Sequence, residues 1–392
     1  MPARGAGEVR RAARARGRAR GGLVSLSGGS APRPPRRIRV GVLTGGASAE
    51  RDISLAAGAQ IQRSLPADRY EVVLLDPLAL MVRNPALTDD QRGQAEALLK
   101  GGGRLDPGHE LPKGLEEEIE SASKALVPAT RAITDDAEPL DVVFISLYGT
   151  WGEDGRIQGL LDTLGLPYTG SGVLASALAM DKVMAKTVLA ANGIDVPRGV
   201  VVTRPDDPLA STIPPPLFVK PVQQGSSVGA SIVARAVDLE AAIAGALRFD
   251  TRALVEERIV GTELTVPVIG NDEPIALPVV EIVTKHAFFD YSAKYDAGES
   301  EEIVPARIPA DVAKRAQGLG LRAHLALGCR GMSRTDLIWV GERMAVLEVN
   351  TIPGMTANSL LPKAARAAGI PFGELLDRLV QWALEDARRR GR

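Results

Sequence analysis

The sequence predicts an α/β protein. Two observations lead there. From Ile38 onward, short apolar strand patterns alternate with helical ones, and the 392-residue length suggests two or three domains. A third narrows the class: 45% of the residues are hydrophobic, ordinary for a soluble globular chain. No stretch approaches the ~18 consecutive apolar residues of a membrane span, so no membrane partner is expected. The single cysteine, Cys329, excludes an intramolecular disulfide framework and a cysteine-rich zinc site, and reads as an inert core thiol. The near balance of 47 basic and 48 acidic residues argues against a protein built mainly to bind nucleic acid.

That balance is a cancellation. Residues 1–37 hold ten arginines and one acid, Glu8, while the remainder carries a net charge of −10. Rich in Arg, Ala, Gly and Pro without apolar periodicity, residues 1–37 read as a disordered basic leader. The same composition fits a transit peptide or an arm that touches nucleic acid. The plainer reading is an extension without chemistry. No apolar core precedes a cleavage site, so export is not expected. Arginine outnumbers lysine 37 to 10, which makes each lysine more informative.

The ordered elements follow in sequence. Residues 38–44 read as a strand, Gly45-Gly46 as a turn, and a helix starts near 49–51. Residues 71–76 and 141–148 are further apolar strands, and with the first they suggest an open sheet. The polar stretch 84–136, with Gly101-Gly102-Gly103 and an acidic run at 116–120, reads as an insertion with some helix. Residues 173–191 read as one long helix, with Leu174, Leu178, Val183 and Leu189 on one face. Strands at 200–203 and 217–222, a glycine-serine loop at 225–229 and a strand at 230–234 come next. A helix at 238–248 leads to strands at 253–258, 264–269 and 276–283. Strands at 335–340 and 344–350 are joined by a tight turn near Gly341, and an amphipathic helix at 372–387 closes the chain.

The loop Gln224-Gly225-Ser226-Ser227-Val228-Gly229 lets backbone N–H groups and hydroxyls approach phosphate oxygens. A small-residue hairpin turn looks the same, and neither a Walker P-loop nor a Rossmann fingerprint fits it. Lys220 raises the phosphate reading. It ends an apolar strand five residues before the loop, where a buried ammonium needs an anionic partner. Lys182 is a second candidate cation, though alone it also fits a solvated helix face. The strongest local chemistry is Asp336 with Glu348 and Asn350. Asp336 begins one strand, and the other two end its neighbour on a shared face. Antiparallel pairing would bring these hard oxygens together as a Mg²⁺ set; the plain alternative is a surface salt bridge. Arg334 shares the face of Asp336 and suits charge on a transferring phosphoryl group. Gly354 offers an unhindered N–H to an oxyanion, and the Ser359 hydroxyl suits a carboxylate, though either alone fits an ordinary turn.

Taken in order and spacing, these residues resemble D-alanine–D-alanine ligases of the ATP-grasp superfamily. The motifs are Gly45-Gly46-Ala47-Ser48-Ala49-Glu50, Gly152-Glu153-Asp154-Gly155, Tyr168-Thr169-Gly170-Ser171-Gly172, Met180-Asp181-Lys182, Val219-Lys220-Pro221, the 225–229 loop, Asp290-Tyr291-Ser292-Ala293-Lys294-Tyr295, and Glu348-Val349-Asn350-Thr351-Ile352-Pro353-Gly354-Met355-Thr356. The resemblance spans about residues 40 to 379, apart from 84–136. It implies an ATP-grasp fold: an N-terminal open parallel-sheet domain at 38–170, then two nucleotide-clamping α+β domains at 171–254 and 255–392.

The resemblance also implies roles. Lys182, Lys220 and Ser227 would contact ATP phosphates, and Glu256, Ile259 and Glu263 would hold adenine and ribose. Asp336, Glu348 and Asn350 would hold two Mg²⁺ (or Mn²⁺) ions. Glu50 would bind the ammonium of the first D-alanine, and Glu50, Ser226 and Tyr295 would form a hydrogen-bonded triad that closes a loop over the site. Arg334 and the Gly354 N–H would stabilise a tetrahedral intermediate. Lys294, Ser359 and Leu360 would hold the second substrate's carboxylate. The implied activity joins two D-alanines through an acylphosphate, for peptidoglycan precursors, in a cytoplasmic homodimer. The same chemistry with another D-amino or D-hydroxy acid acceptor is the alternative, and a non-catalytic nucleotide-binding relative is a third reading. Six intact candidates (Lys182, Lys220, Arg334, Asp336, Glu348 and Asn350) argue against the third. One departure stands out: Tyr148 occupies the position where the family usually carries histidine. A phenol titrates near ~10 and an imidazole near ~6.5.

Overall fold

A computed structural model describes residues 36–85, 87–99, 114–133, 138–285 and 300–391. The leader up to residue 35, the triple glycine at 101–103, His109, His286, Lys294 and Tyr295 lie outside the described residues. The first part runs β1 (Ile38–Leu43), α1 (Arg51–Ser64), β2 (Tyr70–Asp76), α2 (Leu78–Met81), α3 (Asp89–Leu99), α4 (Glu116–Ala125), β3 (Val127–Pro128), α5 (Ala129–Ile133), β4 (Val142–Ile145) and α6 (Arg156–Thr163). Its four strands are parallel, in the order β3-β2-β1-β4. β4 (VVFI) and the second half of β1 (VGVL) are unbroken buried apolar runs, as in a parallel sheet covered on both faces. The order reverses at β1, which pairs β2 on one side and β4 on the other. Crevices beyond the carboxyl ends of strands at such a reversal are where α/β sheets bind ligands. Gly45-Gly46 leaves β1 there, and Leu147-Tyr148 leaves β4. Helix α1 packs closely on the first of these exits: a Cβ on Gly58 would stand 2.7 Å from Thr44 Oγ1.

Part of the polar stretch 84–136 is woven into this sheet. β3 pairs with β2, and Ile119 and Ala122 of α4 are buried in the same core as α1.

The second part contains α7 (Val173–Met180), α8 (Lys182–Ala191), β5 (Gly199–Val202), β6 (Leu217–Pro221), β7 (Ser231–Val233), α9 (Leu239–Ala246) and β8 (Ala253–Glu257). Its antiparallel sheet has the order β5-β8-β6-β7. The single helix expected over 173–191 is corrected to two. Asp181 adopts an extended conformation between them, and its carboxylate accepts the N–H groups of Val183 and Met184 at 3.1 and 3.0 Å, an N-cap. Leu174, expected on the buried face, is 72% exposed.

The third part contains β9 (Thr262–Gly270), β10 (Ile275–Ala276), β11 (Val280–Thr284), β12 (Ser300–Ile303), α10 (Ala310–Ala326), β13 (Gly331–Val340), β14 (Arg343–Asn350), α11 (Leu360–Ala367) and α12 (Phe372–Arg389). The strands form one antiparallel sheet, β12-β11-β9-β13-β14, with β10 paired to β9. Two expectations are corrected. The strand at 276–283 is two strands, interrupted around Pro278, which has no N–H for the ladder. β13 starts at Gly331, opposite Gly270 of β9, so Asp336 lies inside the strand and does not begin it.

Residues from Arg37 on form one compact unit. The last helices join the core of the first sheet: Leu375, Leu376, Leu379 and Val380 of α12 are buried with β1 and β4, each contributing roughly 1.5–3 kcal/mol of transfer free energy.

Candidate active site

Two adjoining cavities hold every described residue to which the sequence gives a catalytic, binding or metal role. The first lies between the two antiparallel sheets. Lys182, Lys220, Ser227, Glu256, Ile259, Glu263, Asp336 and Glu348 all line it. The second opens at the carboxyl ends of β1 and β4, and Glu50, Ser226, Arg334, Glu348, Asn350, Gly354, Ser359 and Leu360 line it. Each measures about 430 Å³, within the range of small-ligand sites. Lys182, Gly225, Ser226 and Glu348 border both, so the cavities meet there.

Strand pairing builds the junction. Asp336 stands opposite Glu348 and Arg334 opposite Asn350 across β13 and β14. The register slips between Asp336 and Leu337, leaving Leu347 as an extra residue. Such bulges re-aim side chains beside functional sites. Arg334 clasps Asp336 with two hydrogen bonds of 2.9 Å, Thr265 Oγ1 donates to Asp336 at 2.5 Å, and Asn350 Nδ2 donates at 3.0 Å.

The glycine-serine loop caps the junction. Ser226 and Ser227 have φ of 50° and 58°, the left-handed region that L residues seldom adopt. Strain of this kind persists where the surroundings enforce it, commonly at ligand sites. The buried Ser226 Oγ has no hydrogen-bond partner among the described residues. Lys182 Nζ donates to the Gln224 carbonyl at 2.6 Å, tying α8 to the loop. The expectation that Lys220 needs an anionic partner holds, but the partner here is protein: Lys220 Nζ lies 2.6 Å from Glu256 Oε1.

In the second cavity Tyr148 is buried, and its Oη accepts the Met355 N–H at 2.9 Å. Burial pushes this phenol up to about 12, so it stays neutral. Position 148 is therefore a tether for the turn that carries Gly354. Gly354 itself faces Ser359, whose Oγ a Cβ there would approach to 3.0 Å. Glu50, nine-tenths buried, starts α1.

Several residues of these cavities were not singled out. Glu153 accepts the Gly149 N–H at 2.7 Å. Burial, then the charge of Glu50, raises its carboxyl to about 8. Its place in the Gly-Glu-Asp-Gly motif was the available signal. Lys363 of α11 and Glu302 of β12 face the second cavity as an ion pair of 2.6 Å. Lys186, one turn after Lys182, bonds Glu256 behind the first cavity; the scarcity of lysine could have marked both lysines. Of the three histidines, His324 is described. It is buried against Ser333, pushed down to about 4 by burial, and lines neither cavity. Cys329 is buried and burial pushes its thiol up to about 12, as befits an inert core position.

Comparison with known proteins agrees with this geometry. Residues 39–171 match the family described as the D-ala D-ala ligase N-terminus, and residues 188–381 match the D-ala D-ala ligase C-terminus. The D-alanine–D-alanine ligase of Syntrophobacter fumaroxidans is 42% identical over 356 residues, 89% of this chain and 99% of that protein. Among solved structures, the VanG D-Ala:D-Ser ligase of Enterococcus faecalis is 31% identical with a TM-score of 0.71, covering 89% of this chain and all of that one. The Bacillus anthracis D-alanine–D-alanine ligase complexed with ATP is 30% identical with a TM-score of 0.68, covering 91% of this chain and all of that one. The expected ATP-grasp architecture, an open parallel sheet followed by two antiparallel sheets around a cavity, is borne out. Matched along both halves and over nine-tenths of its length, the chain belongs to the D-alanine–D-alanine ligase family.

Proposed function

We propose that the chain is an ATP-dependent ligase that joins two D-alanines into D-alanyl-D-alanine for peptidoglycan precursor synthesis. The observation that carries the reading is the meeting of two cavities at Lys182, Ser226 and Glu348, with Asp336 on one side and Asn350 on the other. A nucleotide in the first cavity would turn its γ-phosphate toward an amino acid in the second.

The reaction follows from that placement. A carboxylate oxygen of the first D-alanine attacks the γ-phosphorus and ADP leaves, giving an acylphosphate. The amine of the second D-alanine then attacks the acyl carbon, loses a proton, and phosphate departs. Lys182, Lys220 and Ser227 hold phosphate oxygens, while Glu256, Ile259 and Glu263 hold the adenosine. Glu50 receives the first ammonium. Arg334 and the Gly354 N–H meet the oxyanion that develops at the acyl carbon. Ser359 and the Leu360 N–H at the start of α11 take the second carboxylate, together with Lys294. Tyr295 completes a triad with Glu50 and Ser226, and the Ser226 hydroxyl, which has no partner among the described residues, supports that assignment.

Asp336, Glu348 and Asn350 fit two Mg²⁺ (or Mn²⁺) ions. Asn350 gives its Nδ2 to Asp336, which leaves its amide oxygen for a cation. Among the described residues, no three His, Cys, Asp or Glu side chains could hold a metal ion together; Mg²⁺ ions at this site would complete their shells with phosphate oxygens. Such ions would neutralise phosphate charge against an attacking carboxylate. A three-domain division at 38–170, 171–254 and 255–392, a cytoplasmic location and a homodimer complete the proposal, with no role for nucleic acid. No described helix is long and apolar enough to cross a membrane.

The test is purified chain with ATP, Mg²⁺ and a panel of D-alanine, D-serine and D-lactate. D-Alanyl-D-alanine with stoichiometric ADP supports the proposal. Product with D-serine or D-lactate alone would move it to the alternative acceptor, a reading that Tyr148 keeps open.

A further inference from the structure

Lys186 of α8 is buried behind the first cavity and does not line it. Its ammonium bonds Glu256 Oε2, while Glu256 Oε1 holds Lys220 Nζ at 2.6 Å. Glu256 is 2% exposed, so two ammonium groups share one buried carboxylate. Only Lys220 and Glu256 of this trio face the cavity.

The charge count matters here. Two cations on one carboxylate leave a net positive charge at the cavity floor. Without Lys186, Lys220 and Glu256 would form a neutral pair, and both carboxylate oxygens would compete with phosphate for the same ammonium. Buried charges interact strongly, so this difference is felt at the ligand. Burial lowers the Lys186 ammonium to about 8 while Glu256 raises it. Burial likewise raises Glu256, but the two lysines win and hold its carboxyl below the usual range. The trio is thus a charged unit in which each member sustains the others.

We propose that Lys186 is a positioning residue for the nucleotide: it occupies one oxygen of Glu256 so that Lys220 keeps a net positive charge for the phosphates. The proposal rests on reading this cavity as the ATP site.

The experiment uses the full chain and its Lys186→Met, Lys186→Arg, Lys186→Met/Glu256→Gln and Lys220→Ala variants. ADP binding is measured by calorimetry without D-alanine, and ATP KM, kcat and both D-alanine constants by initial rates. Lys186→Met should weaken ADP binding and raise ATP KM about tenfold, the scale of one charge-assisted hydrogen bond, with the D-alanine constants unchanged. Lys186→Arg should restore most of the loss. The double variant should recover part of it, because removing the carboxylate charge returns the floor to one net positive charge; a purely structural lysine predicts no such recovery. Should Lys186→Met not fold, the arginine and double variants carry the same test. Unchanged ATP KM in Lys186→Met, or equal loss in the single and double variants, would overturn the role of Lys186 alone. Failure of the wild type to bind ADP, or Lys220→Ala binding as well as wild type, would overturn the cavity reading as well.

Discussion

The two cavities have equal volume and share a border, yet they hold charge in different ways. In the first cavity the ionisable floor is locked: Lys186 and Lys220 share the Glu256 carboxylate in a buried trio that keeps one net positive charge. In the second cavity burial and the charge of Glu50 drive the Glu153 carboxyl toward its neutral form, against the opposing charge of Arg334. The first suits an anionic ligand such as a polyphosphate. The second suits ligands that arrive with an ammonium and must exchange protons. The junction belongs to neither, since Asp336 faces one cavity, Asn350 the other and Glu348 both.

The largest effect should come from that junction. Asp336→Ala or Glu348→Ala should lower kcat by at least about a hundredfold, because several kcal/mol of charge stabilisation goes with the donor. Rates near wild type at saturating Mg²⁺ would remove the metal assignment.

Next is Tyr148→Phe. It leaves the Met355 N–H buried without an acceptor, which costs about 1–3 kcal/mol, and it loosens the turn that presents Gly354. The expected result is a fall in kcat with little change in ATP KM. Because the phenol stays neutral, the pH profile should keep its shape; a lost ionisation in the variant would contradict the tether.

Glu153→Gln sharpens the comparison through pH. The Glu153 carboxyl is raised from 4.5 to about 8 on folding, so the folded chain holds a proton that the unfolded chain releases. Its contribution to stability is present below about 4.5 and is lost as pH rises through about 8. Thermal midpoints of the wild type should therefore fall across that window more steeply than those of Glu153→Gln, and parallel curves would refute the shift. The smallest effect is expected from removing the leader, residues 1–37, which should leave kcat and every KM unchanged in the same assay.

Much of this was legible in the sequence because its chemistry is local. The alternating strands, the Asp336–Glu348 hairpin and the glycine-serine loop each announce themselves within a few residues. What was not legible depends on distant partners or on competing signals. Asp181 looks helical by periodicity, and only its capping bonds reveal the break between α7 and α8. Helix α10 was missed: it carries Gly318 and Gly320, poor helix formers, and a Cβ on Gly320 would stand 2.6 Å from Val266 of β9. Lys186 sits in an ordinary helical pattern, and its role emerges only when β8 brings Glu256 across 70 positions of sequence. Glu153 was visible as a motif residue, but its raised carboxyl comes from burial beside Glu50, roughly a hundred residues away.

In the proposed reaction the two cavities work as one site, passing a phosphoryl group from nucleotide to D-alanine and then exchanging it for an amine. The most direct measurement is a stoichiometry: dipeptide, ADP and phosphate counted together from purified chain, ATP, Mg²⁺ and D-alanine. One D-alanyl-D-alanine for each ADP and each phosphate is the predicted result. ADP and phosphate released without dipeptide would contradict it, because the cavities would then bind their ligands without joining them.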